Sequence, residues 1–222
     1  MEVLVTLLVV VGAMAGLIAW GRAQQKKRIQ AMQGVAAALG WSFTETQPLS
    51  VIPGMERFGL FSQGRAKEIR NFIAGEQGGV RAAVFDYSCV TGYGRSKQTH
   101  FHTVFYARAQ DLGVPGFSVR PENLFHRIGS AFGYQDIDLP SRPVFSKQYL
   151  LRGRDEAAIR AAFHDGVVDF YEANPKSCTD AEGAEVFLWR GVGYTRPDEV
   201  QALVRQGVEL VERLRAGVPA GV

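Results

Sequence analysis

The chain opens on an unbroken apolar run and then changes to short alternating segments separated by glycine. Val3–Trp20, VLVTLLVVVGAMAGLIAW, is 18 residues with no charge and one hydroxyl. At the helical rise it spans about 27 Å, close to the roughly 30 Å hydrocarbon core of a bilayer. The pattern predicts a transmembrane anchor over 1–21, with Trp20 as its interface residue. Arg22, Lys26, Lys27 and Arg28 follow at once, and no Lys or Arg precedes the run. By the positive-inside rule the N-terminus then faces out and the bulk of the chain faces the cytoplasm. The four cations are expected on the anionic membrane surface, worth about 1 kcal/mol each there.

A cleaved signal peptide is the rival reading. Ala13-Met14-Ala15 resembles a cleavage site and would leave an exported domain. A basic leader is missing, however, the apolar run continues past that site, and the basic residues lie on its far side. The helix is predicted to continue through AQQKKRIQAMQGVAAALG and to stop at Gly40. TETQPLSVIPG, 44–54, carries two prolines and reads as a link, so 22–54 is taken as juxtamembrane helix and linker.

From residue 55 to 217 the pattern is that of one α+β domain, with 218–222 as a tail. Strands are predicted over 67–74, 80–90, 98–109 and 117–120, with glycine turns between the first three, which makes a meander. A helix is expected over Pro121–Phe132. DIDLPSRP then leads to a strand over 144–153. Ile159, Phe163, Val167, Phe170 and Tyr171 form a helical stripe over 155–173. A strand over 185–192 precedes the clearest element, a helix whose stripe runs Val200, Leu203, Val204, Gly207, Leu210, Val211 and Leu214. Thr195 and Asp198 have capping-box-like spacing at its start, and Gly217 closes it. The fold class is therefore α+β: an N-terminal transmembrane helix, then an antiparallel or mixed sheet packed by about three helices.

Charge changes this picture in one respect. The net charge of +3 over 222 residues resides entirely in residues 1–28, where Glu2 stands against Arg22, Lys26, Lys27 and Arg28. The remainder balances 21 basic against 21 acidic residues. A folded domain with no basic surplus argues against a nucleic-acid binder. Two distant cysteines, Cys89 and Cys178, give neither a zinc pattern nor a disulfide framework and fit reduced thiols.

Candidate chemistry gathers on FDYSCVTGYGRSKQTHFHTV, 85–104. Gly92–Lys97 lacks the Walker spacing and is flanked by strands, so its glycines serve a turn, and Arg95 and Lys97 are solvated there. If Cys89 pairs near Phe101, odd positions face odd positions and are mainly apolar. Cys89 then lies opposite the face carrying His100 and His102, which rules out a Cys–His nucleophile. The two histidines would share their face with Asp86 or Ser88. His100, His102 and Asp86 are the candidate metal set, although polar pairs on an exposed strand look the same. His126 and His164 are expected at surface or boundary positions. Asp155 and Glu156 suit a helix N-terminus. No G-x-S-x-G and no H-E-x-x-H occurs.

Phe61-Ser62 with Gly64, RNFIAGEQGG, FDYSCVTGYG, HTV, RPENL, DIDL and FSKQYLLRG together cover most of 57–165. In these pieces the chain resembles a group of uncharacterised bacterial single-pass membrane proteins. That resemblance implies an anchored architecture and carries over no catalytic residue. The function expected is a membrane-tethered, cytoplasmic-facing binding or scaffold module at the bacterial inner membrane. The alternative is a metal-dependent hydrolase using His100, His102 and Asp86. No catalytic residue, cofactor or nucleic acid is expected. The partners expected are the lipid bilayer and a protein partner or second copy of the chain.

Overall fold

The computed structural model describes residues 2–122 and 136–217, without the side chains of residues 2–5 and 7–10. Helix α1, Glu2–Leu39, stops where expected. Gly40 takes φ +69°, the left-handed conformation that a helix-ending glycine supplies at no Cβ cost. The Gly40 amide donates to Ala37 at 3.2 Å and the Trp41 amide to Ala36 at 2.9 Å, the paired bonds of a Schellman cap. Only the last turns of α1 dock on the domain, through buried Met32, Val35 and Ala36. Residues 11–27 are exposed, including Val11, Met14, Leu17, Ile18 and Trp20.

The anchor expected over 1–21 is corrected here. Part of the Val3–Trp20 run lies outside the described side chains, and among the described residues no helix is long and apolar enough to cross a membrane. The single-pass topology and the inner-membrane placement, N-terminus out and domain in the cytoplasm, rested on that span and fall with it.

The strands are β1 (Ser42–Gln47), β2 (Arg65–Gln77), β3 (Val80–Thr91), β4 (Gln98–Arg108), β5 (Val114–Pro121), β6 (Tyr149–Gly153), β7 (Ser177–Gly183) and β8 (Glu185–Arg190). They form one eight-stranded sheet in the order β1-β2-β3-β4-β8-β7-β5-β6. Every ladder is antiparallel. The chain therefore steps from β4 past two strand positions to β5, and β7 and β8 later fill the gap.

Besides α1 and three single 3-10 turns, the described helices are the short α2 (Gly59–Ser62), α3 (Pro143–Gln148), α4 (Glu156–Ala162) and α5 (Asp165–Ala173) and the long α6 (Pro197–Ala216). One sheet face carries Ile73, Val84, Phe105, Val186 and Leu188 against α1, α4, α5 and α6. The other carries Phe85, Tyr87, Val104, Phe187 and Trp189 against a flap, Ile52–Phe61, that contributes Phe58 and Phe61.

Several elements differ from the sequence expectation for identifiable reasons. The 44–54 link holds an edge strand, because β1 needs only Phe43 and Gln47 half-covered to pair with β2. Pro143 at a first-turn position starts α3 where a strand was expected, and the strand begins only at Tyr149. The 155–173 helix is two helices. His164 caps the second, its Nδ1 accepting from Gly166 at 3.1 Å while Nε2–H donates to the Arg213 carbonyl at 2.9 Å. Strand β7 reads as polar yet is central and buried. Thr195 does not cap α6, since its amide is held by Thr103 and Pro197 opens the helix. The helix expected over 121–132 falls, beyond Glu122, outside the described residues, as does His126.

Candidate functional site

The β3–β4 hairpin holds Asp86, Cys89, His100 and His102, and its register decides which of them meet. Cys89 pairs with His100, Tyr87 with His102 and Asp86 with Thr103. Odd positions therefore face even ones. A one-residue change of register moves a whole side-chain set to the opposite face. His100 and His102 lie with Tyr87 and Cys89 on the flap side, and Asp86 lies on the helix side. The expected His100–His102–Asp86 set does not assemble. The argument that placed Cys89 and the histidines on opposite faces is overturned by the same pairing.

Each histidine already has a partner. His100 Nε2 is 2.7 Å from Thr91 Oγ1. His102 is 2% exposed, its Nδ1 is 3.0 Å from the Gly191 carbonyl, and its ring meets Trp189 edge-on at 6.4 Å. The Nδ1–H tautomer satisfies that carbonyl. Burial foremost, with the nearby Arg120 charge, pushes the His102 pKa down to about 4, against the opposing pull of the Gly191 hydrogen bond. Burial likewise raises the Cys89 thiol, so it is held as a thiol and not as a thiolate nucleophile. Among the described residues no group of three or more His, Cys, Asp or Glu side chains is placed to hold a metal.

Asp86 belongs to a different constellation, which sequence reasoning missed. Its carboxylate is 1% exposed and receives a two-pronged grip from Arg28 on α1, at 2.6 and 2.7 Å. Asn71 Nδ2 donates to Oδ2 at 2.8 Å and Thr103 Oγ1 to Oδ1 at 2.8 Å. Arg28 also donates to Thr103 Oγ1 and to the Thr195 carbonyl, both at 3.0 Å, and its guanidinium stacks 4.4 Å from the Tyr194 ring. Asn71 reaches Asp86 because β2 bulges there: the register breaks between Arg70 and Ile73, and Asn71 takes φ +50°. Asn tolerates that region better than most residues. Arg28, expected from the sequence on the membrane surface, is thus committed to a buried carboxylate. Arg22, Lys26 and Lys27 are exposed on the projecting part of α1, as is Trp20.

A second buried pair sits under the flap. Arg120 donates to Asp180 Oδ1 at 2.6 Å and lies 4.4 Å from the Trp189 ring. The Leu60 amide donates to the other Asp180 oxygen at 3.1 Å, fastening the flap to β7. Nearby, Arg57 bridges Glu182 and Glu185, and Tyr106 donates to Glu185 at 2.8 Å. A cavity of about 500 Å³ opens between the flap and the β5–β7 strands, lined by both signs of charge. Every buried carboxylate of these two networks already faces a guanidinium. That geometry stabilises an assembled surface and offers no free acid or base.

No protein-family model and no curated protein matches the chain. The single-pass group it resembles in sequence is therefore not supported by a family match. Among solved structures it is similar to the crystal structure of the mycobacterial trehalose monomycolate transport factor A, with TM-score 0.58 and 14% identity, covering 86% of this chain and 97% of that one. At that identity the likeness is one of fold: this chain shares its architecture with a bacterial transport factor.

Proposed function

We propose that the chain is a non-catalytic binding or scaffold module. The observation that carries this reading is the β3–β4 register, which separates Asp86 from the histidines and leaves His100, His102 and Asp86 each with a hydrogen-bond partner elsewhere, while burial keeps Cys89 a thiol. The fold likeness supports it, because the similar structure is named a transport factor and not an enzyme. In this reading α1 is an arm held to the sheet by Arg28, and the uncovered end of the flap face, at Ala74, Ala83 and Tyr106, supplies the binding surface.

Activity measurements on the purified full chain test it. Ester, phosphoester and amide substrates are offered with and without zinc and manganese, alongside metal analysis. No turnover and no stoichiometric metal are expected. Metal-dependent turnover that disappears in a His100→Ala/His102→Ala variant would overturn the reading.

A further inference from the structure

The register of β2, β3 and β4 places two rows of side chains next to each other at one end of the sheet's flap face. The outer row is charged: Glu76 pairs with Arg81, Arg81 with Arg108, and Arg108 with Glu185. The next row inward is small and apolar: Ala74 pairs with Ala83, and Ala83 with Tyr106. Two alanines on the floor leave a trough of about 520 Å³, walled by Val51, Ile52 and Phe72. The trough adjoins a second, open depression of about 820 Å³, with Glu76 and Arg81 lining both.

That depression is where the guanidiniums converge. Arg108 and Arg215 line it with Arg81, one from β4 and one from the last turn of α6. Arg81 and Arg108 stand directly opposite each other, both exposed. Like charges so placed repel. Among the described residues no carboxylate lies within ion-pair distance of either. Glu185, across from Arg108, is taken by Arg57, and Asp111 in the depression is taken by Arg215 at 2.8 Å. The Arg215 Nε–H is buried with no acceptor. Glu76 is the remaining acid, so the mouth keeps a positive excess. Guanidiniums present planar forks that fit carboxylate and phosphate oxygens.

We propose that trough and mouth form one site for a single-chain anionic amphiphile, with its chain on Ala74, Ala83 and Tyr106 and its carboxylate or phosphate head on Arg81 and Arg108. The inference rests on the binding-module reading and gives it a ligand class. An apolar chain alone would leave the arginine repulsion in place, and a small anion alone would leave the trough in water.

Competition against a fluorescent fatty-acid probe on the full chain, below micelle concentrations, tests this with four ligands: dodecanoate, dodecyl phosphate, dodecanol and inorganic phosphate. Saturable binding of one or both anionic dodecyl ligands is expected, with dodecanol and inorganic phosphate weaker by about tenfold or more. Preference between the two anions tells a carboxylate head from a phosphate head. Arg81→Glu/Arg108→Glu is expected to weaken the preferred ligand by about tenfold or more, and so is Ala74→Trp, which fills the trough, each with an unchanged melting temperature. Equal binding of inorganic phosphate and dodecyl phosphate, equal binding of dodecanol, retained affinity in the arginine variant, or no saturable binding would each overturn the site. None of these results touches the module reading, which falls only on metal-dependent turnover.

Discussion

Arg28 on α1 and Asp86 on β3 are 58 residues apart in sequence and form a two-pronged ion pair at 2.6 and 2.7 Å. It joins the first helix to the middle of the sheet. The Asp86 carboxylate is desolvated, so its partner matters more than the pair's net worth. Removing one member of a buried pair costs about 3–5 kcal/mol, because the other charge is left uncompensated, whereas replacing both by apolar groups is often close to neutral.

Arg28→Ala is therefore expected to destabilise the protein by about 3–5 kcal/mol, with a proportionate fall in the denaturant midpoint. Arg28→Met/Asp86→Leu should recover most of that loss. Chemical denaturation of wild type, both single variants and the double variant measures the coupling. Additive single losses in the double variant would show that the pair does not act as a unit.

Asn71 makes a second, separable contribution. Its side chain feeds Asp86, and its backbone holds a positive φ that costs an ordinary residue roughly 1–2 kcal/mol. Asn71→Ala loses both features and should cost about 2–4 kcal/mol. Asn71→Gly keeps the backbone freedom and should cost less. The difference between the two variants, read from unfolding curves, isolates the conformational part.

His102 ties stability to pH with a definite sign. Its folded pKa of about 4 lies below the ordinary value of 6.5, because burial disfavours the imidazolium. The unfolded chain then binds the extra proton first. The stabilisation is fully present above pH 6.5 and is lost as pH falls towards 4, by up to about 3 kcal/mol. His102→Gln should flatten the stability profile in that window relative to wild type. Unfolding midpoints of both proteins between pH 7 and pH 4 measure it, and parallel profiles would refute it.

How much of this was legible in the sequence follows from which faces are covered. The helical stripe of α6 and the Gly40 stop were readable, because a helix with one buried face keeps its period. The hairpin strands were readable as strands but not in register. Val104 and Phe105 are adjacent and both fully buried, since the sheet is covered on both sides there, so alternation carries no parity. Six residues separate Thr91 from Gln98, and nothing in GYGRSK fixes whether odd meets odd. Strand β7 was hidden because Thr179 and Asp180 read as loop residues, although Asp180 is satisfied by Arg120. The Arg28–Asp86 grip could not be found by spacing at all. Its one local signal was an uninterrupted helix carrying Arg28 past the apolar run.

The two cysteines supply a probe of global unfolding. Both are buried and free, burial raises both thiols, and Cys178 is pushed up to about 11. The thiolate is the reactive form, so native protein at pH 8 should label slowly with a thiol reagent at both sites. Labelling should rise with the unfolded fraction in denaturant, and the two residues should move together. Fast labelling of Cys89 without denaturant would show that the flap over it opens locally, on its own.

Gly207 decides between two opposing effects on α6. Alanine is the better helix former by about 1 kcal/mol, which favours Gly207→Ala. A Cβ at that position, however, would overlap the Phe105 ring on β4, and Phe105 is fully buried between sheet and helix. Overpacking of a filled core costs typically 1–3 kcal/mol. The clash is with a ring that is itself fully buried, so packing wins: Gly207→Ala should lower stability by up to about 2 kcal/mol net. Phe105→Leu in the same chain makes space and should convert the alanine from harmful to neutral or favourable. Thermal melts of the two single variants and the double variant measure this, and an alanine that stabilises the wild-type background would mean that α6 does not approach β4 at Gly207.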